Sequence, residues 1–327
     1  MKAWVIETDA NGQRLTWRDV PDLAPGPGEL LLSVRAVGLN RADLSRRAGH
    51  YERVPTRPPL PIAGLEAAGE VAAVGAGVEG FRVGDRVMGM PSGAYAQQAL
   101  LHARLAMRVP ERLGWVEAAA TPVALFTAHD ALASAGRMRR GDRVLVQAAA
   151  SGVGIAALQV ARELGAGQVV GTAGGEARLA ALARHGLTHG IDYRGEDVGA
   201  RVLALTGGAG VDVIVDMVGA SAVAAHLQAA ALGARWVQVG RMGGLVAQLD
   251  LDLVSKKRLS LVGVTFRTRD LDEFESVVRT AERDVGPALA GGRFAMPVAR
   301  TFALDEADRA QEFMRSNAHL GKIVLLA

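Results

Sequence analysis

The chain of 327 residues contains no cysteine, which excludes disulfides, thiol catalysis and every thiolate metal site. Aromatic residues make up only 4% of it, and no cluster of basic residues is interleaved with them. A nucleic-acid surface is therefore not expected. Charge of one sign is missing too: 37 basic residues face 34 acidic ones, for a net charge of +3. The best apolar stretch, AAATPVALFTAHDALASAG, is broken by Pro122, His129 and Asp130, so no membrane span is expected. The opening MKAWVIETDANG has one lysine and a short strand-like run in place of a signal peptide's apolar core, which points to the cytoplasm. Half of the residues are apolar, enough for a large core and two domains.

The rhythm of the chain changes along its length. Short apolar runs over 1–110 (KAWVI, LLLSVRAV, AGEVAAV, DRVMGM) alternate with turn signals such as APGPGE and GAGVEG, and predict a β-rich region. Residues 114–135 read as helix, bent by a proline. From 143 strands and helices alternate: RVLVQA then GVGIAALQVAREL, QVVGTA then EARLAALARHG, HGIDYR then EDVGARVLALTG, VDVIVDMV then SAVAAHLQAAALG, and RWVQVG leading to LSLVGVTF. Continuous apolar strands between amphipathic helices predict a parallel sheet covered on both faces, an α/β doubly wound domain. The tail from 267 predicts the helices LDEFESVVRTAERD and EADRAQEFMRSN and a strand GKIVLLA.

Between the first of those strands and its helix, Gly152, Gly154 and Ala157 fit G-x-G-x-x-A. The first glycine permits the tight turn, the second lets a pyrophosphate reach the main chain, and the small third residue lets helix and strand pack closely. The helix start then offers unpaired N–H groups to phosphate. The bland alternative is a plain tight turn, but the surrounding series of strand–helix units favours a bound dinucleotide. The next strand ends Thr172-Ala173-Gly174-Gly175, with no carboxylate before Glu176 to hold ribose hydroxyls, and with Arg178 close by. That combination favours the 2′-phosphate of NADPH over NADH. Tyr193, at the end of the third strand, could stack on adenine or be a simple strand-end aromatic.

Beyond these features, GLEAAGEVAAVG (with Gly64, Glu66, Gly69 and Gly75), VGDRV, the glycine loop and the final GKIVL resemble the medium-chain dehydrogenases/reductases. The resemblance covers essentially the full length. It implies a GroES-like substrate domain over 1–122, a Rossmann NADP-binding domain over 123–266 and a C-terminal segment over 267–327 that returns to the substrate domain. Zinc members carry Cys in G-x-C-G-x-D and His in G-H-E; the matching residues are Asn40 and Leu65, and the lobe for structural zinc is missing because GMPSGAYAQ runs straight on. His185 and His189 lack a third ligand near in sequence, so no zinc is expected. LNRADLSRRAGHY, IAGLEAAG, TAGGEARL, RWVQVGRMGG and FRTRD resemble the zinc-free quinone oxidoreductases, closest to the tumour-suppressor-inducible group and its bacterial relatives.

The resemblance implies that Asn40 and Tyr51 face nicotinamide and substrate, and that Thr127 lies near the nicotinamide ribose and phosphate. Backbone of Ser151, Gly152, Val153 and Gly154 would meet the pyrophosphate, Ser151 standing where the family commonly has glycine. Thr172, Gly174 and Arg178 would flank the 2′-phosphate, where the family often has serine and lysine, and Tyr193 the adenine. Val218 and Gly219 would border the adenine-side ribose; Gly240, Met242, Thr265 and Phe266 would wall the nicotinamide; and Asn317 would lie against the cofactor. Met242 and Phe266 read equally as plain core. Arg41 and Asp43 are expected to pair locally rather than touch substrate.

An alcohol without a Lewis acid is a poor hydride donor, whereas a quinone or a conjugated alkene accepts hydride unaided. The expected activity is direct hydride transfer from NADPH to a quinone, resting on proximity and orientation. An alkenal or enoyl reductase is the alternative, with Tyr51 the nearest candidate proton donor. A non-catalytic NADPH-binding protein is the reading from another class. The apolar LSLVGVTF would leave an exposed edge, and relatives pair that strand, so a homodimer is expected.

Overall fold

A computed structural model describes residues 1–9, 12–47 and 61–327. Tyr51 lies outside the described residues. In chain order the strands are β1 (Lys2–Asp9), β2 (Gly12–Asp19), β3 (Glu29–Gly38), β4 (Ala67–Val74), β5 (Arg86–Gly89), β6 (Gln98–His102), β7 (Met107–Arg108), β8 (Arg143–Val146), β9 (Gln168–Ala173), β10 (His189–Asp192), β11 (Val211–Asp216), β12 (Ala230–Gln238), β13 (Ser260–Gly263), β14 (Val298–Ala303) and β15 (Lys322–Leu326). The helices are α1 (Arg41–Arg47), α2 (Trp115–Ala119), α3 (Pro122–His129), α4 (Gly152–Glu163), α5 (Glu176–Leu182), α6 (Val198–Leu205), α7 (Val223–Ala229), α8 (Leu251–Lys257), α9 (Leu271–Ala290) and α10 (Ala307–Arg315). Contacts divide the chain into two compact units, Met1–Val123 with Phe266–Glu282 and Leu289–Ala327, and Ala124–Thr265 with Arg283–Ala288.

The first unit is built on a sheet in the order β14-β15-β3-β4-β5-β7, with β6 also pairing β3. Its central strand β3 is buried at Leu30–Leu32, Val34 and Ala36–Gly38, while the polar Glu29, Ser33 and Arg35 stay partly or fully exposed. Trp4, Val34, Leu39, Tyr95 and Ile323 pack into one core, where each fully buried large side chain contributes about 1.5–3 kcal/mol. β15 runs antiparallel to β3, with Val324 opposite Gly38. This pairing brings Lys322 into the same sheet layer as the loop that follows β3.

The second unit carries six parallel strands in the order β10-β9-β8-β11-β12-β13. That order reverses direction between β8 and β11, and ligands of such sheets bind beyond the carboxyl ends of the strands at this switch point. The strands are apolar runs: VLV of β8 and VIVD of β11 are buried throughout. Leu145, Val170, Ile191, Val202, Ile214 and Trp236 form the core on one face of the sheet.

Three elements differ from the sequence expectation. α7 spans only Val223–Ala229, because Ala230 already pairs with Val211 and opens β12. β13 stops at Gly263, so Thr265 and Phe266 follow the strand after a gap. α9 continues past Asp284 and through Pro287 to Ala290. Its buried Phe274, Val277, Val278, Ala281, Val285, Ala288 and Leu289 recur at helical spacing, so packing outweighs the proline's missing N–H. No described helix is long and apolar enough to cross a membrane.

Candidate active site

The glycine loop joins β8 to α4 in the second unit. Ser151 caps α4, its Oγ accepting the Gly154 N–H at 3.0 Å, a contact worth about 1 kcal/mol. The N–H groups of Gly152 and Val153 belong to the first turn and have no acceptor inside the helix. Position 154 admits only glycine: a Cβ there would lie 2.5 Å from Ala148 O and 2.7 Å from Ala149 Cα. Ala148, at the start of the loop, has φ +48°, a left-handed conformation costing a residue with a Cβ about 1–2 kcal/mol.

Neighbouring strand ends hold the loop in place. Ala149 N–H donates to Thr172 O at 2.8 Å, and Ser151 Oγ lies 3.7 Å from Met217 Sδ. Beyond β11, the N–H of Gly243 donates to Val218 O at 2.7 Å and that of Gly240 to Asp216 O at 3.0 Å. The structure therefore brings Ser151–Gly154, Thr172, Val218, Gly219 and Gly240 together along one edge of the sheet. Small residues and open main chain line that edge, a shape suited to a dinucleotide backbone.

At the end of β9, the guanidinium of Arg194 covers Gly174. A Cβ on Gly174 would come within 2.8 Å of Arg194 Nε and 3.0 Å of its Cζ. The turn that presents Arg194 is fixed by Asp192, whose carboxylate accepts the N–H groups of Arg194 (3.1 Å) and Gly175; these bonds hold its pKa below the ordinary carboxylate value. Arg178 stands half-buried on α5. Tyr193 falls in the turn after β10, not in the strand, and is 53% exposed. Arg194 was not singled out from the sequence; its only signal is adjacency to Tyr193.

In the first unit, Asn40, Glu66 and Lys322 converge. Lys322 Nζ donates to Asn40 Oδ1 at 2.7 Å and to Glu66 Oε1, and Asn40 Nδ2 donates to Glu66 Oε1 at 2.9 Å. Glu66 Oε2 accepts the Val123 N–H at 2.8 Å, in the first turn of α3. All three side chains are buried. The amide of Asn40 is thus engaged on both its oxygen and its nitrogen. Beside it, Asp43 Oδ2 accepts Asn40 N–H at 2.8 Å and Tyr95 Oη–H at 3.0 Å, while Asp43 Oδ1 is buried without a partner. Burial pushes the Asp43 pKa up to about 7, against the pull of those two hydrogen bonds.

A zinc ion does not fit this donor set. Asn40, at one of the two positions matched to zinc ligands, is bound together with Glu66 to a lysine ammonium. Leu65 beside them is a buried apolar residue. Among the described residues no group of three or more His, Cys, Asp or Glu could hold a metal ion. His185 lies against Arg184 Nε at 3.2 Å, and His189 bonds Gln168 and Thr188.

The remaining expected residues are spread between the units. Thr127 is half-buried on α3, and Met242 is 64% exposed, so Met242 is not core. Phe266 stacks on Phe274 at 4.8 Å, within the first unit. Asn317, with φ +56°, accepts from Arg41 NH2 at 2.6 Å. The local pairing expected between Arg41 and Asp43 is replaced by this bond and by the bonds of Asp43 to Asn40 and Tyr95.

A GroES-like unit with a mixed sheet and a second unit with a six-stranded parallel sheet define a medium-chain dehydrogenase/reductase. Residues 26–111 match the alcohol dehydrogenase GroES-like domain, and residues 152–283 match the family model described as zinc-binding dehydrogenase. The chain is 34% identical over 315 residues to a quinone oxidoreductase of Pseudomonas aeruginosa, covering 95% of both. It is 35% identical to a mycocerosic acid synthase-like polyketide synthase of Mycobacterium tuberculosis over 98% of this chain, and spans about 15% of the length of that relative. Among solved structures, a quinone oxidoreductase of Escherichia coli complexed with NADPH has a TM-score of 0.87 at 28% identity, covering 99% of this chain and 100% of that one. The chain belongs to the zinc-free quinone oxidoreductase family of the medium-chain dehydrogenases/reductases, and it is an oxidoreductase.

Proposed function

We propose that the chain uses NADPH to reduce a quinone, in the cytoplasm and as a homodimer paired through β13. The likeness to a quinone oxidoreductase across 95% of both chains carries this reading. When bound, NADPH supplies the hydride. The N–H groups of Gly152 and Val153 bind its pyrophosphate, and the Val218–Gly219 main chain borders its ribose. Arg178 and Arg194 would hold the 2′-phosphate beside Gly174. The hydride and a single solvent proton together turn the quinone into its hydroquinone. That step needs no Lewis acid, in keeping with the lysine that engages Asn40 and Glu66. Orientation of donor and acceptor then supplies most of the rate.

A second reading is favoured by the match to a polyketide synthase, whose chemistry builds acyl chains. On that reading the acceptor is an alkene conjugated to a carbonyl, and Tyr51 gives the proton to the carbon beside the carbonyl. Following NADPH absorbance with quinones and enones, with and without chelator, tests both. Quinone turnover that survives chelator and a Tyr51→Phe change supports the first reading. Turnover of enones alone, lost in Tyr51→Phe, supports the second. Alcohol oxidation dependent on added zinc overturns both.

A further inference from the structure

Beneath the nucleotide loops of the second unit lies a line of buried polar side chains with no place in the chemistry above. Gln147, Thr172, Asp216 and His226 are each at most 4% exposed. Gln147, Thr172 and Asp216 stand at the carboxyl ends of β8, β9 and β11, and His226 comes from α7. Thr172 Oγ1 accepts the Ala148 N–H at 3.2 Å and donates to Gln147 Oε1 at 2.6 Å. Gln147 Nε2 is 2.9 Å from His226 Nε2, and His226 Nδ1 is 3.5 Å from Asp216 Oδ2. Asp216 Oδ2 accepts Trp236 Nε1–H at 2.9 Å, while its Oδ1 accepts the N–H groups of Val218 and Gly219 at 2.8 and 2.9 Å.

The carboxylate sets the direction of every proton in this line. His226 Nδ1 makes no hydrogen bond, and the Asp216 carboxylate 3.5 Å away favours the tautomer with the proton on Nδ1 and a lone pair on Nε2. Gln147 must then donate its amide N–H to that lone pair and turn Oε1 toward the Thr172 hydroxyl. The hydroxyl is left with a lone pair for Ala148 N–H, the backbone amide of the left-handed residue that begins the glycine loop. Burial holds the ring neutral by pushing its pKa down, against the attraction of Asp216. The edge of the ring packs against Trp236, with centroids 4.8 Å apart at 71°.

Buried polar groups contribute little net stability compared with apolar side chains of the same shape, but they fix geometry. β8 and β11 pair directly, and beyond their carboxyl ends this line runs between the two loops that follow them: the one beginning at Ala148, and the one at Val218–Gly219. We propose that neutral His226 is a positioning residue for the nucleotide, fixing the separation of these two loops without touching the cofactor. The proposal rests on the reading of both loops as the NADPH cradle.

The test uses the full chain and NADPH itself, with binding followed by fluorescence and stability by urea unfolding. His226→Phe keeps a ring against Trp236 and removes both nitrogens. It is expected to raise the Kd for NADPH about tenfold, the effect of about 1.4 kcal/mol, while kcat at saturating NADPH stays within about twofold. The Gln147→Leu/His226→Phe double variant replaces both partners by apolar groups and is expected to regain stability while the Kd stays raised. A role in folding alone predicts the reverse, with affinity returning as stability returns, and that result overturns the proposal. An unchanged Kd in His226→Phe overturns it as well. If His226→Phe does not fold, the double variant decides alone. A wild-type chain that binds neither NADPH nor NADH overturns the cradle reading instead, which separates the two failures.

Discussion

Lys322 and Asn40 are 282 positions apart in sequence and meet at 2.7 Å, Nζ to Oδ1, inside the first unit. The same ammonium neutralises Glu66, which is wholly buried. One cation therefore holds both an amide and a carboxylate in place.

Lys322→Met leaves the Glu66 carboxylate buried without its counter-charge. A loss of about 3–5 kcal/mol in urea unfolding is expected. The Lys322→Met/Glu66→Gln double variant should recover much of that loss, because no bare charge remains. A double variant no more stable than the single one would show that the ion pair is not what the site requires.

Asp43 gives the first unit a stability that depends on pH. Its folded pKa of about 7 lies above the ordinary value of 3.8, so the folded state binds the proton more tightly. This contribution is fully present below pH 4 and disappears as pH rises through 7, with an amplitude on the order of 4 kcal/mol. Asp43→Asn removes the dependence, and the slope of unfolding free energy against pH between 4 and 7 measures it.

His226 acts in the opposite sense. Burial lowers its folded pKa from 6.5 to about 4, so the unfolded chain takes the proton more readily. Its stability contribution is complete above pH 6.5 and falls as pH drops toward 4, by about 3 kcal/mol. In the Gln147→Leu/His226→Phe variant the acid limb of the stability curve flattens. If wild type and that variant lose stability in parallel below pH 6, another group carries the acid sensitivity.

Arg194 and Arg178 are expected to select the cofactor. Either change to alanine removes a charge-assisted hydrogen bond, worth about 1.5–3 kcal/mol. The Kd for NADPH should rise roughly tenfold or more and that for NADH stay put. Equal losses for both cofactors in both variants would place the 2′-phosphate elsewhere.

β13 is the outer strand of the parallel sheet and exposes Leu261 to 55%. Pairing with a second copy would cover this edge. Light scattering of wild type should give twice the chain mass, and Leu261→Arg should give one. A wild-type monomer removes the dimer.

Legibility in the sequence followed the range of the interactions. The Ser151–Ala157 turn could be read because its chemistry is local: one cap, two glycines and a small residue decide it. β8, β9 and β11 could be read because a strand buried on both faces is apolar at each step. The ends of β12 and β13 are not legible in the sequence, since the pairing of Ala230 with Val211 and the early stop at Gly263 are tertiary facts. Glu66 was recognised as a motif residue, but its partner comes from β15, and no periodicity links the two. His226 looked like one more residue of an alanine-rich helix; only the fold places it against Asp216. Arg194 matters because Gly174 lacks a side chain, and that space exists only after β9 and β10 pair.

The junction of Glu66 with Lys322 also orders events on the ribosome. Strands β8 to β13 lie in one continuous stretch, so most of the second unit can close as soon as that stretch has emerged. The first unit begins earlier yet finishes later, since its central carboxylate stays uncompensated until β15 is made. Synthesis therefore reverses the usual sequence in which the leading portion matures first, and a nascent chain stalled before Lys322 holds a finished nucleotide fold behind an unfinished GroES-like one.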